Sequence, residues 1–132
     1  MPFVLDASVA ACWAFDDEAH PLAARALARL ANDEAMVPSL WWFEVRNVLV
    51  VNERRGRIGQ SDTRRFLSEL ARLPITSDRE PVESDLMQAA RAHRLSVYDA
   101  AYLELAERLG APLATLDRDL ERAGVAAGVA SV

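Results

Sequence analysis

The chain has no lysine; all fifteen of its basic residues are arginine. A Mg²⁺-dependent phosphoryl-transfer domain of the receiver type needs a Lys near its end and a paired acid near its start. Here the first is missing and Asp6 stands alone, so that class is set aside. Cys12 is the only cysteine, which removes any disulfide framework or thiolate metal site and agrees with a reducing compartment. His20 and His93 are the only histidines, with no Cys or His partner at zinc spacing. The five glycines fall at expected helix ends and in the tail, so no Gly-rich loop is present to cradle phosphates. A G-x-S-x-G elbow is also absent. No apolar run reaches the length of a membrane span, and the N-terminus lacks a basic segment followed by an apolar stretch and a cleavage site. These absences lead us to expect a cytoplasmic protein.

What is present is an ordinary globular composition, 52% hydrophobic and 27% charged. At 132 residues we expect one domain spanning 1–132, burying roughly two-thirds of its unfolded surface. The net charge of −5 is unevenly spread. From Arg46 to Arg72 there are seven Arg against three acids, a local +4, while eight Arg face seventeen acids elsewhere, leaving −9. Such a stretch could contact phosphate while the acids serve another purpose, or simply form a solvated face on two helices.

Short apolar runs alternate with helical spacing. Residues 3–6, "AMVPS", "PIT" and "PLATLD" read as strands. Helices are expected over about 8–16, after Pro21, from Leu40 to a stop at Gly56, from a Ser61-Asp62 cap to about 73, over 81–94 and over 99–109. The tail "AGVAAGVASV" reads as a possible edge strand. Strands alternating with helices indicate a parallel-sheet α/β/α sandwich. Ligands in such folds bind beyond the carboxyl ends of the strands, where Asp6 and Asp117 stand.

Asp6, Asp99 and Asp117 each precede a possible helix, so each has an alternative reading as an N-cap worth about 1 kcal/mol. Glu44 lies inside a helix, where capping cannot explain it, on the border of the apolar arc formed by Trp41, Trp42, Val45, Val48 and Leu49. If the strands are parallel, Asp6 and Asp117 share one end of the sheet, and Asp99 and Glu44 could project into the same cleft. At ~5 Å and an effective dielectric of ~20, they would repel by roughly 3 kcal/mol per pair. Either protons or a cation must offset this, and an all-oxygen donor set favours Mg²⁺ or Mn²⁺ over zinc.

The ordered set "FVLDAS", "VPSLWWFEVRNVL", "LSVYDAAYLELA" and "PLATLDRDLERAG" resembles the PIN-domain family, and more narrowly the VapC-type toxins of bacterial toxin–antitoxin pairs. The resemblance covers nearly the whole chain and implies a PIN-like fold. It implies a ribonuclease that uses Mg²⁺ or Mn²⁺, pairs with a cognate antitoxin and forms a homodimer. Carried over by position, Asp6, Glu44, Asp99 and Asp117 would be the catalytic and metal-binding acids, with Ser8, Asn47 and Thr115 as polar neighbours that orient them. Asp119 is left outside that set because Arg118 and Glu121 mark an exposed helix start.

Two further features bear on partners. Arg54, Arg55 and Arg57, at the turn after the third helix, are the best-placed candidates to guide RNA. Trp41 and Trp42 read as core, whereas Phe43 and Val50 form a second apolar ridge that suits a dimer contact or an antitoxin groove. The competing reading is a non-catalytic RNA- or protein-binding module on the same fold, which would gain by losing its four acids.

Overall fold

Phe3, Val4 and Leu5 are apolar, extended and fully buried. A strand hidden on both faces requires a layer above and a layer below, and the computed structural model, which describes residues 1–132, supplies both. In chain order the elements are β1 (Phe3–Leu5), α1 (Ala7–Cys12), α2 (Pro21–Arg29), β2 (Ala35–Val37), α3 (Leu40–Arg54), α4 (Gln60–Leu70), β3 (Ile75–Ser77), α5 (Glu83–His93), α6 (Val97–Leu109), β4 (Leu113–Ala114) and α7 (Arg118–Ala126). A 3-10 turn at Asp16–Glu18 separates α1 from α2. The four strands form one parallel sheet in the order β3-β2-β1-β4. One group of helices packs α1 against α2 and α3, and another packs α6 against α5, α7, β1 and β4. This is the expected α/β/α sandwich.

The strand order fixes where a ligand can bind. From β1 the chain steps outward through β2 to β3, then crosses back by way of α5 and α6 to place β4 on the other side of β1. The direction of winding therefore reverses between β1 and β4, and the crevice at such a switch point lies at the carboxyl ends of the two strands. The register sets Val4 beside Leu113 and Leu5 beside Ala114. One step further, the Asp6 amide donates to the Ala114 carbonyl at 2.9 Å, bringing Asp6 alongside Thr115.

α6 is the helix on which this arrangement turns. Every residue from Ala100 to Ala106 is buried, the pattern of a helix surrounded by protein. Its Glu104 has a side chain only 2% exposed. It accepts from Arg108 Nε (2.7 Å) and from the Val82 amide (3.3 Å), while Arg108 Nη2 bonds Asp78 Oδ2 at 2.5 Å. This network ties the 78–82 connection to α6. Gly110, with φ of +60°, ends the helix in the left-handed region where a side chain would be strained.

Several details depart from the sequence reading. The tail is not a strand over its length: α7 takes up residues through Ala126, and only a bridge between Leu113 and Ser131 reaches the sheet. Leu120, Ala123 and Gly124 give α7 a buried helical face, and that spacing outweighs the β-propensity of Val125 in an Ala/Gly-rich tail. α1 ends at Cys12, and Trp13 Nε1 donates to the Ala23 carbonyl instead of extending the helix. α4 is not capped by Ser61; Asp62 Oδ2 accepts from the Gly59 amide. Trp41 is core, but Trp42 is 52% exposed. It lies edge-on to exposed Phe43 at 5.0 Å between ring centroids, with the Arg46 guanidinium 3.8 Å over its own ring.

The first turn of α6 tests the capping alternative directly. Ser96 occupies the cap and its Oγ accepts from the Asp99 amide at 3.1 Å, so the Asp99 carboxylate is not needed to start the helix. Ser96→Ala is expected to cost about 1 kcal/mol, measured by urea unfolding. Asp99→Asn should not lower stability in the same experiment.

Candidate active site

Asp6 is buried, with 6% of its surface exposed. It occupies the cap position of α1 yet makes no side-chain capping bond. Two hydroxyls converge on its Oδ2 instead: Ser8 Oγ donates at 2.6 Å and Thr115 Oγ1 at 2.7 Å. Both hydroxyls are themselves fixed, because the Leu116 amide donates to Ser8 Oγ and the Asp117 amide to Thr115 Oγ1, each at 3.0 Å. The segment after β4 is thus folded onto the end of β1 by its backbone. Asp117 follows as the cap of α7, its Oδ1 accepting from the Leu120 amide at 2.9 Å. Of the three acids with a capping alternative, only Asp117 caps a helix.

Glu44 reaches the same region from α3 and Asp99 from α6. Tyr102 donates its hydroxyl to Glu44 Oε1 at 2.5 Å. The electrostatics link all four acids. Burial raises the Asp6 pKa against the lowering effect of the Ser8 and Thr115 hydroxyls, and Asp117 raises it further. Burial raises Glu44, which Tyr102 opposes and the charges of Asp6 and Asp99 reinforce. Burial also raises Asp99, with Asp117 and Asp6 adding to it. Tyr102 is pushed far above the usual phenol range, by burial first and then by Asp6 and its bond to Glu44, so its hydroxyl stays a donor.

The supporting residues divide. Ser8 and Thr115 stand against Asp6 as expected. Asn47 does not: it is exposed and makes no side-chain hydrogen bond, because it sits on the rim of α3 while Tyr102 reaches Glu44 from α6. Asp119 is exposed and pairs with Arg122 at 3.1 Å. Sequence reasoning missed Tyr102. The available signal was its place three residues after Asp99, on the same helical face, as a polar-tipped ring in an otherwise apolar stretch that must find a partner when buried.

The Arg candidates also divide. Arg57 is already engaged: Nη2 bonds Asp17 at 2.9 Å, Nη1 bonds Asn52 at 2.7 Å, and the guanidinium lies 4.6 Å from the Phe15 ring centroid. It braces the 3-10 turn against the end of α3, so it is not a free phosphate contact as the sequence suggested. Arg54 and Arg55 are exposed and carry no ion pair.

Does this donor set suit a divalent cation? It is all oxygen, and three of its carboxylates are held in an environment that disfavours their charge. Both side-chain bonds to Asp6 fall on Oδ2, the bond to Asp117 falls on Oδ1 and the bond to Glu44 on Oε1, so each acid keeps its second oxygen without a side-chain partner. No three of the acids close around a single point. Mg²⁺ ordinarily keeps several waters and takes one or two carboxylates, so it needs no closed cage of three. The residues fit such an ion.

A parallel α/β/α sandwich with four acids at its switch point defines a class of protein, and comparison with known proteins assigns it: the chain belongs to the PIN-domain family, whose model matches residues 3–126. Among curated proteins it is similar to ribonuclease VapC3 of Pyrobaculum aerophilum, 36% identical over 124 residues that cover 91% of this chain and 92% of that one. It is likewise similar to ribonuclease VapC9 of Mycobacterium tuberculosis, 36% identical over 126 residues, 93% of this chain and 91% of the other. In fold it resembles the crystal structure of PAE2754 from Pyrobaculum aerophilum, with a TM-score of 0.74 at 24% identity over 93% of this chain and 84% of that chain.

The raised carboxylates give a pH dependence whose sign follows from linkage. Asp6, Glu44 and Asp99 hold protons more tightly folded than unfolded. From their ordinary values of 3.8 for Asp and 4.5 for Glu up to the raised folded values, the native state therefore binds more protons. Stability falls as pH rises through that window and stays lower above it. In EDTA, the melting temperature is expected to be higher near about pH 5 than about pH 7.5. Asp99→Asn should raise the neutral-pH value and shrink the difference.

Proposed function

We propose that this protein is a metal-dependent endoribonuclease that hydrolyses RNA phosphodiesters and acts as the toxin of a VapBC-type toxin–antitoxin module. The observation that carries the reading is the meeting of Asp6, Glu44, Asp99 and Asp117 at the β1–β4 switch point, with Asp6 oriented by two fixed hydroxyls. Membership of the PIN-domain family and similarity to proteins named as VapC ribonucleases support it. The same reading gives the chain a cognate antitoxin as partner, a homodimeric state and a cytoplasmic location. No helix is long and apolar enough to cross a membrane.

In the mechanism, Asp6, Asp99 and Asp117 would hold Mg²⁺ or Mn²⁺, with Glu44 at the edge of the set. When bound, the ion offsets the carboxylate charges, lowers the pKa of a water and stabilises charge on the phosphate. Ser8 and Thr115 keep Asp6 in one orientation through the chemical step. Glu44, anchored by Tyr102 at Oε1, uses its other oxygen to orient the attacking water, and its raised pKa suits it to accept that water's proton. Water adds to phosphorus in line with the departing sugar oxygen, the P–O bond to that oxygen breaks, and the departing oxygen takes up a proton from solvent to leave as a hydroxyl. The exposed and unpaired Arg54 and Arg55 steer the RNA backbone toward the cleft.

Cleavage of a panel of transfer, ribosomal and messenger RNAs, by protein freed of partners, tests the reading. Cutting is expected with Mg²⁺ or Mn²⁺, to stop in EDTA and to disappear in Asp6→Asn. Thr115→Val should lose about 10–100-fold, the usual cost of removing a group that orients a metal ligand. Intact RNA throughout, together with no shift in melting temperature at millimolar Mn²⁺, would leave a binding module. Metal binding without cutting would point to a substrate outside the panel or a retained inhibitor.

Arg54→Ala with Arg55→Ala is expected to weaken RNA binding across sequences and to reduce the magnitude of the salt slope by about 1–2, measured by fluorescence anisotropy at several ionic strengths. Arg57→Ala should instead lower stability, leaving the salt slope unchanged.

A further inference from the structure

We infer that Tyr102 is the positioning residue for Glu44, its hydroxyl holding one carboxylate oxygen so that the other is presented to the metal and the attacking water. The inference rests on the nuclease reading above and assigns a role to a side chain outside the expected acid set.

The other acids show the pattern. Asp6 has two hydroxyl donors on one oxygen, and Asp117 has a backbone amide on one oxygen. Glu44 lies on a different helix and makes no bond to those donors; its single side-chain bond comes from Tyr102, 58 residues away in sequence. Asn47, which shares its helix face, does not reach it. Tyr102 is fully buried, so its ring is fixed by packing and no water can readily replace the hydroxyl. It stands three residues after Asp99 on α6. That helix therefore delivers both an acid and the donor that aims another acid from across the cleft. A long Glu side chain has three rotatable bonds, and a fixed donor removes much of that freedom before the ion arrives.

A merely structural role is the competing account, in which the phenol needs a partner and Glu44 happens to be near. The two accounts separate in metal affinity. Mn²⁺ is titrated calorimetrically into wild type, Tyr102→Phe and Asp6→Asn, each checked for its melting temperature without metal. Tyr102→Phe removes one oxygen from a filled site and is expected to fold. Its Mn²⁺ affinity should fall by about 10–100-fold, and the Mn²⁺ concentration for half-maximal RNA cleavage should rise in step. In a Glu44→Ala background the same change should add less than about twofold, because the two residues act as one unit.

Wild-type affinity in Tyr102→Phe would overturn the inference whatever its melting temperature. So would a full additional loss in the Glu44→Ala background. A wild type that binds no Mn²⁺, like Asp6→Asn, would instead overturn the nuclease reading, and the inference with it. Should Tyr102→Phe not fold, the wild type answers alone: with ¹³C-labelled tyrosine only two ring signals, Tyr98 and Tyr102, are present. Mg²⁺ should move the Tyr102 signal, and Glu44→Ala should abolish the movement. A Tyr102 signal unmoved as Mg²⁺ saturates the protein would refute the assignment.

Discussion

Repulsion among Asp6, Glu44, Asp99 and Asp117 is the constraint that the surrounding structure has to withstand. Asp6, Glu44 and Asp99 each have their pKa raised in part by the charge of neighbouring acids in the set. A domain's whole stability is only about 5–15 kcal/mol. The positions of the four acids are imposed from outside the cluster. β1 is buried on both faces, β4 is locked to it in register, and α6 is buried through two turns. Donors then fix individual oxygens: Ser8 and Thr115 on Asp6, the Leu120 amide on Asp117, Tyr102 on Glu44. Stability built in the core is thus spent on holding a charge arrangement that the free molecule disfavours, a trade expected where function needs a preorganised site.

Capping a helix and belonging to an acid cluster are compatible rather than exclusive readings of an acid at a helix start. Asp117 caps α7 with Oδ1 and still belongs to the acid group through its field on Asp6 and Asp99. The cap itself restricts the side chain, as a hydroxyl does for Asp6. Asp99 stands inside the first turn of a helix that Ser96 already caps, so its carboxylate is left for the cleft.

How much of this was legible in the sequence follows the range of the interactions. The strand-ending acids Asp6 and Asp117 were readable because short apolar runs announce buried parallel strands, and the direction of those strands then fixes which end the acids share. Glu44 was readable because no helix-terminal role could account for it. Pairings that join distant segments were not. Tyr102 meets Glu44 across 58 residues, and Arg57 meets Asp17 across 40, distances over which local pattern carries no information. Trp42 shows a different limit: neighbouring helix positions differ by about 100°, so Trp41 can be core while Trp42, one residue on, faces solvent. The tail misled for a compositional reason, since Ala and Gly with Val suit neither element strongly and tertiary packing of Leu120 and Ala123 decided for helix.

The division of charge has a consequence for how the proposed nuclease would work. Exposed Arg54 and Arg55 act over about a Debye length, roughly 8 Å at physiological salt, which suffices to collect a polyanion at the surface. The acid cleft acts at contact, where an RNA phosphate would be repelled by buried Asp6 and the half-buried Glu44, Asp99 and Asp117. Attraction to the surface and admission to the cleft are therefore separate events with separate chemistry. The first depends on arginine and salt. The second would depend on a cation that reverses the sign of the local field, so that metal would govern entry of the scissile phosphate as well as its hydrolysis. Under that arrangement RNA can be held without being cut, and the metal requirement of cleavage exceeds that of binding.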